Sequence, residues 1–233
     1  MKNIDVNRTL GEIVAQFPGT VSTMNNYKID YCCGGKDTLI EVINSLKLDE
    51  ISILEEMELS IDEFQKLHYK TRSWNEESLS TIIDYILHTH HVFMKETLAE
   101  INDLMFKILK VHYKTNGEIL LQVHGLFGKL KTELEAHLVK EEENLFPMIL
   151  EYEKTNNQDL KKEIAKYIKE TENEHDVAGD VFKQLELLTN DFKAPDDACY
   201  SYQRTYGLLD ALEKDTFNHI HMENTILFGK IGG

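Results

Sequence analysis

From about residue 76 onward, apolar residues recur at three- and four-residue intervals, the spacing of helices that bury one face. The pattern predicts four long helices at about 76–113, 118–153, 160–191 and 196–229, broken at Thr115-Asn116-Gly117, Thr155-Asn156-Asn157 and Ala194-Pro195-Asp196. Breaks this short between long amphipathic helices predict an up-down-up-down four-helix bundle over 76–233. Ser73-x-x-Glu76 has the form of a capping box that would open the first helix, and Pro147 is expected to kink or end the second. Residues 1–70 read differently. Shorter periodic segments alternate there with the turn signals Phe17-Pro18-Gly19, Cys32-Cys33-Gly34-Gly35-Lys36 and Leu48-Asp49, which predicts a small helical domain of its own. The expected fold class is all-α.

The bundle carries an internal repeat. Glu133, His137, Glu141 and Leu145-Phe146 on the second helix match Asp215, His219, Glu223 and Leu227-Phe228 on the fourth, as acid-x-x-x-His-x-x-x-Glu-x-x-x-Leu-Phe. Leu130 and Leu212 stand seven residues before the two histidines. Each preceding helix adds an inward histidine: His91 lies 46 residues before His137 (137 − 91), and His175 lies 44 before His219 (219 − 175). The bundle therefore reads as two copies of one helical hairpin.

Residues four apart on a helix share a face, so His137 with Glu141, and His219 with Glu223, can converge on one point. Those faces are apolar: Leu130, Leu134, Leu145 and Met148 flank the first pair, and Leu208, Leu212, Met222, Ile226 and Leu227 the second. His91 continues a stripe with Ile83, Leu87, Met94 and Leu98, and His175 one with Ile164, Ile168, Ala178 and Phe182. A lone histidine on such a face is ordinarily a satisfied core residue. Six histidines and glutamates placed by a repeat are not, because burying them without partners would cost several kcal/mol per charged group and bound cations remove that cost. Four imidazoles and two carboxylates without a thiolate suit a carboxylate-bridged pair of iron or manganese ions better than a structural zinc. The expected terminal ligands are His91, His137, His175 and His219, with Glu141 and Glu223 as bridges and Glu133 and Asp215 accepting from ligand N–H groups. His90 competes with His91, since Ile83, Ile86 and Phe93 would also carry it inward. Glu142 and Glu143 are expected on a solvated face, His221 facing away, and His68, His88, His112 and His124 at the surface or in packing.

Cys32 and Cys33 are adjacent, and a vicinal disulfide is strained, so they are expected as thiols. On a flexible Gly-Gly turn they would form an accessible site for redox or iron-transfer chemistry, or else serve structure alone. Cys199 is expected as inert packing.

Charge and composition narrow the partners. A formal net charge of −16 would repel nucleic acid and anionic membrane surfaces. No apolar run approaches the roughly 20 residues of a membrane span, and MKNIDVNRTL lacks the apolar stretch of a secretory signal, so a cytoplasmic protein is expected. Three prolines in 233 residues suit long uninterrupted helices.

Asp30-Tyr31-Cys32-Cys33-Gly34-Gly35-Lys36, Glu174-His175-Asp176, His137-x-x-x-Glu141 with Leu145-Phe146-Pro147, and His219-x-x-x-Glu223 together resemble the Repair of Iron Centres family over nearly the whole chain. The resemblance implies a cysteine-bearing domain joined to a hemerythrin-like domain. It also implies an oxo- and carboxylate-bridged pair of iron ions on His91, His137, Glu141, His175, His219 and Glu223, and repair of iron–sulfur proteins damaged by nitric oxide or oxidants, with iron donated from that centre. Oxygen-carrying hemerythrins use a further histidine four residues after the third-helix one, a position held here by Gly179, which should weaken iron retention. Two other functions fit the same ligands: a nitric oxide or peroxide reductase, and a sensor or store binding O2 or nitric oxide reversibly. The oligomeric state stays open, with a homodimer among the arrangements.

Overall fold

The computed structural model describes residues 4–67 and 74–232, so His68 and Ser73, with its capping box, lie outside the described residues. Among the described residues there are helices and no strands; an isolated antiparallel bridge pairs Thr9 with Thr38. The chain divides into two compact units, Met1–Ser78 with Ile220–Gly233, and Leu79–His219.

The first unit contains α1 (Leu10–Gln16), α2 (Thr20–Asn26), α3 (Leu39–Leu46) and α4 (Glu50–Leu67). The bridged threonines are also helix caps. Thr9 with Glu12 and Thr38 with Glu41 each form a complete capping box, satisfying amides that open α1 and α3. Leu10, Ile13, Met24, Leu39, Ile43, Ile53 and Met57 are buried between these helices, and the C-terminal residues Ile226, Leu227, Phe228 and Ile231 are buried in the same unit.

The second unit is built from α5 (Leu79–Ile86), a π-helical turn at Leu87–His91, α6 (Val92–Lys140), a second π turn at Glu141–Leu145, α7 (Phe146–Thr155), α8 (Gln158–Thr189) and α9 (Tyr200–His221). Inside α6 the expected break at Thr115-Asn116-Gly117 narrows to one residue, Asn116, at φ −128° and ψ 17°. The chain reverses there: His91 Nδ1 meets Glu142 Oε1 at 2.7 Å, and those residues stand 25 before (116 − 91) and 26 after (142 − 116) Asn116. Asn156, left-handed at φ 50°, ends α7, and the Asn157 side chain caps α8 through the amides of Asp159 and Leu160. Met94, Leu98, Ile101, Leu120, Phe127, Leu130, Phe182 and Leu209 make one apolar core along the bundle.

Pro147 does not end its helix. It falls at the start of α7, directly after the π turn, where its missing N–H is absorbed, and helix continues to Thr155. The last helical run passes from α9 through a π turn at Met222–Leu227 into α10 (Phe228–Ile231), stopping at left-handed Gly232, φ 85°.

Candidate metal centre

Within the bundle unit, His137, Glu141, His175 and His219 each place a ligand atom within 4.8 Å of the others, and all are at most 4% exposed. The Glu141 carboxylate lies 3.3 Å from His137 Nε2, 3.3 Å from His91 Nε2 and 3.9 Å from His219 Nε2. His137 and His219 face each other Nε2 to Nε2 at 3.4 Å, and the His175 ring stands edge-on to His137 with centroids 4.9 Å apart. Glu223, one helical turn beyond His219 on the same run, is fully buried.

The helices place these groups by simple register. His137 lies in the last turn of α6 and Glu141 opens the following π turn; His219 lies near the end of α9 and Glu223 in the turn after it; His91 ends the first π turn. Thus three of the predicted donors sit in π turns, which widen the helix locally and occur frequently at functional sites.

The far sides of two of the rings are anchored. His137 Nδ1 bonds to Glu174 Oε2 at 3.1 Å, and His91 Nδ1 to Glu142 Oε1 at 2.7 Å. Lys140 donates to Glu174 at 2.8 Å, and Lys95 donates to both oxygens of Glu142 at 2.7 and 2.9 Å. The hydrogen bond from His137, then that from Lys140, holds the Glu174 carboxyl down at about 2 against the pull of burial. Burial pulls Glu142 upward, but its bonds to Lys95 and His91 prevail and lower it. These contacts leave each Nε2 turned toward Glu141, the tautomer a ligand histidine needs. Burial, followed by the fields of His91, His137, His175 and His90, pushes His219 well below the ordinary histidine range, so it is a neutral imidazole able to bind metal.

Several expectations are corrected. Glu142 is not on a solvated face; the π turn rotates it inward to His91, whereas Glu143 is exposed. Glu133 is exposed and supports no ligand, because Leu130 and Leu134 fill the inward positions of its turn; Glu174 serves His137 instead. Asp215 does accept from a histidine, but from His90, at 3.0 Å. Both adjacent histidines are buried: His91 faces Glu141, while His90 lies against Asp215 and the edge of Tyr85. His221 is buried, its ring 6.1 Å from the Tyr31 ring, and burial lowers it to about 4. His88 is exposed beside Asp84, and His124 is half-buried. Cys199 is not packed inside but exposed, 3.2 Å from His112 Nε2.

In the first unit, Cys32 and Cys33 are free thiols, as expected, but only Cys33 is partly accessible; Cys32 is 2% exposed. Contact with the Cys33 thiol, together with burial, raises Cys32 well above the usual cysteine range. The turn that buries it has no room for larger residues. A Cβ on Gly34 would stand 2.6 Å from the Asp30 carbonyl oxygen, and one on Gly35 2.8 Å from that of Tyr31.

Comparison with known proteins finds two matching domains. Residues 82–231 match the hemerythrin HHE cation binding domain, and residues 6–60 match a domain described as of unknown function, DUF542. The chain is 31% identical over 222 residues to a probable iron-sulfur cluster repair protein of Haemophilus influenzae, with 95% of each chain covered. It is 29% identical over 225 residues to the iron-sulfur cluster repair protein YtfE of Yersinia pseudotuberculosis, covering 95% of each. To the iron-sulfur cluster repair protein ScdA of Staphylococcus epidermidis it is 27% identical over 223 residues, covering 95% of this chain and 96% of that one. With a matched domain over most of its length and a relative this similar end to end, the chain belongs to the hemerythrin HHE family, among the iron–sulfur cluster repair proteins.

Proposed function

We propose that this chain repairs iron–sulfur clusters damaged by nitric oxide or oxidants, in the cytoplasm, by donating iron rather than by turning over a substrate as a conventional enzyme. The observation that carries the reading is the buried group of His137, Glu141, His175 and His219, whose ligand atoms fall within 4.8 Å of one another, with His219 a neutral imidazole and His137 anchored by Glu174. We assign two iron ions to it, with His91, His137, His175 and His219 as terminal ligands and Glu141 and Glu223 as bridges. Such a pair would supply exchangeable iron for a client protein.

The residues of the chain control retention. Glu142 and Glu174 fix ring orientation from outside, and both are only partly buried, so they link the ligands to solvent-side groups. Gly179, buried one turn after His175, offers no fifth imidazole, leaving iron less tightly held than in an oxygen carrier. Cys32 and Cys33 are assigned a redox or iron-transfer role. No helix among the described residues is long and apolar enough to cross a membrane, which suits a protein that reaches clients in the cytoplasm.

The test is metal content and visible absorption of protein purified under reducing conditions, followed by iron release to a chelator on exposure to nitric oxide. About two irons per chain with ready release is the expected result. Two irons held firmly would move the function to gas binding or catalysis, and zinc or no metal would overturn the reading.

A further inference from the structure

The cysteine turn has the dimensions of a second metal site. Cys32 Sγ and Cys33 Sγ are 3.8 Å apart, and Cys32 Sγ is 3.3 Å from Asp30 Oδ1. Two thiolates on a tetrahedral ion, at a metal–sulfur distance of ~2.3 Å, stand ~3.8 Å from each other, and a carboxylate oxygen at ~2.0 Å stands ~3.5 Å from either sulfur. One ligand atom from each of the three residues lies within 4.8 Å of the others. The carboxylate is fixed beforehand: Asp30 Oδ1 accepts the backbone N–H of Cys33 at 3.0 Å and of Gly34 at 3.1 Å, the kind of outer support that metal-binding carboxylates carry.

We propose that Asp30, Cys32 and Cys33 form a mononuclear site for ferrous iron or another thiophilic divalent cation, with its fourth position open through the accessible Cys33 side. Each thiol transfers its proton to solvent as its metal–sulfur bond forms, and no electron moves. The turn is fastened to the helical run that carries Glu223, since the Asn224 side chain donates to the Cys32 carbonyl at 3.5 Å and His221 lies edge-on to Tyr31. The identity of the cargo as iron rests on the proposed donor function; the existence of the site does not.

The test uses Co2+ as the probe, added without oxygen to reduced full-length protein that has been briefly treated with a thiol-competing chelator and retains only its two bundle irons per chain. One further equivalent should bind, with thiolate-to-cobalt charge-transfer absorption and the intense visible bands of a tetrahedral ion. Cys32→Ser with Cys33→Ser should abolish both signals while bundle iron and helical circular dichroism stay as in the wild type. Asp30→Asn, which keeps size and the amide contacts, should weaken cobalt binding by about 10- to 100-fold. No charge-transfer band in the wild type, or a band that survives the double cysteine substitution, overturns the site. A bundle without iron but with an intact cobalt–thiolate band would sink the donor reading and leave this site standing.

Discussion

Glu174→Gln tests whether the outer carboxylates set the ligand geometry. Glu174 receives the His137 Nδ1 hydrogen bond at 3.1 Å and the Lys140 ammonium at 2.8 Å, and its carboxyl is lowered from 4.5 to about 2. That difference corresponds to roughly 3 kcal/mol at ~1.36 kcal/mol per unit, but the side chain is 35% exposed. Solvent screening reduces the contribution to ~1 kcal/mol in the metal-free protein. In the iron-loaded protein, glutamine keeps the shape and an acceptor oxygen but not the charge, and loss of such support costs ~10- to 100-fold in metal affinity. Chelator competition on iron-loaded protein measures that loss. Urea unfolding of the metal-free protein measures the other. A group with a depressed pKa stabilises the folded state only while ionised. The gap between wild type and variant should therefore be full above about pH 4.5 and vanish as pH falls through about 2. Iron affinity equal to wild type, or a stability gap unchanged at the acid end, would refute the assignment.

Glu141→Ala and Glu223→Ala should each lower iron retention by more than the ~100-fold upper range for outer-sphere losses, read as iron per chain after chelator challenge; wild-type iron in both would end the bridged arrangement. His91→Ala should lose iron in the same assay whereas His90→Ala should keep it, and the reverse pattern would exchange their roles. Cys32→Ser with Cys33→Ser should leave the bundle folded and holding its two irons, so iron loss in that variant would argue against separate domains. Phe146→Ala removes a ring that is 1% exposed and stacked on His91 at 5.6 Å. It should cost about 3–5 kcal/mol in chemical unfolding, and a loss under about 1 kcal/mol would show that the pocket closes over the gap.

The bundle was legible because its signal is additive: stripes such as Leu130, Leu134 and Leu145 or Ile164, Ile168 and Phe182 repeat over many turns, and each of these residues is buried. The paired His-x-x-x-Glu spacing was legible for the same reason. What α periodicity could not supply was the π turns, where one added residue per turn changes which side chain faces inward. Glu142 was missed on that account, and His90 and His91 could not be ranked by the stripe alone. Glu174 was missed for a different cause. Its partner His137 is 37 residues away, and nothing in local spacing marks such a contact, although the neighbouring His175 offered a clue. The half-hidden state of Cys32 and Cys33 likewise depends on a turn folding back on Asp30, which composition alone does not reveal.

The three π turns separate two properties that a regular helix ties together, the order of residues and the direction each one faces. In Leu87–His91, Glu141–Leu145 and Met222–Leu227 the helix carries an extra residue without breaking. Deleting one residue from such a turn would restore ordinary helical bonding and leave the flanking segments nearly in phase, whereas the same deletion in a regular stretch such as α9 would rotate everything beyond it by about 100° relative to what precedes. After the latter change every ligand would still be encoded, yet His219 and Glu223 would be turned out of line with the apolar stripe that precedes them. Sites of this kind can therefore decay by a single-codon deletion that leaves the recognisable motif intact, and motif matching alone would count such a chain as metal-binding when its geometry no longer is.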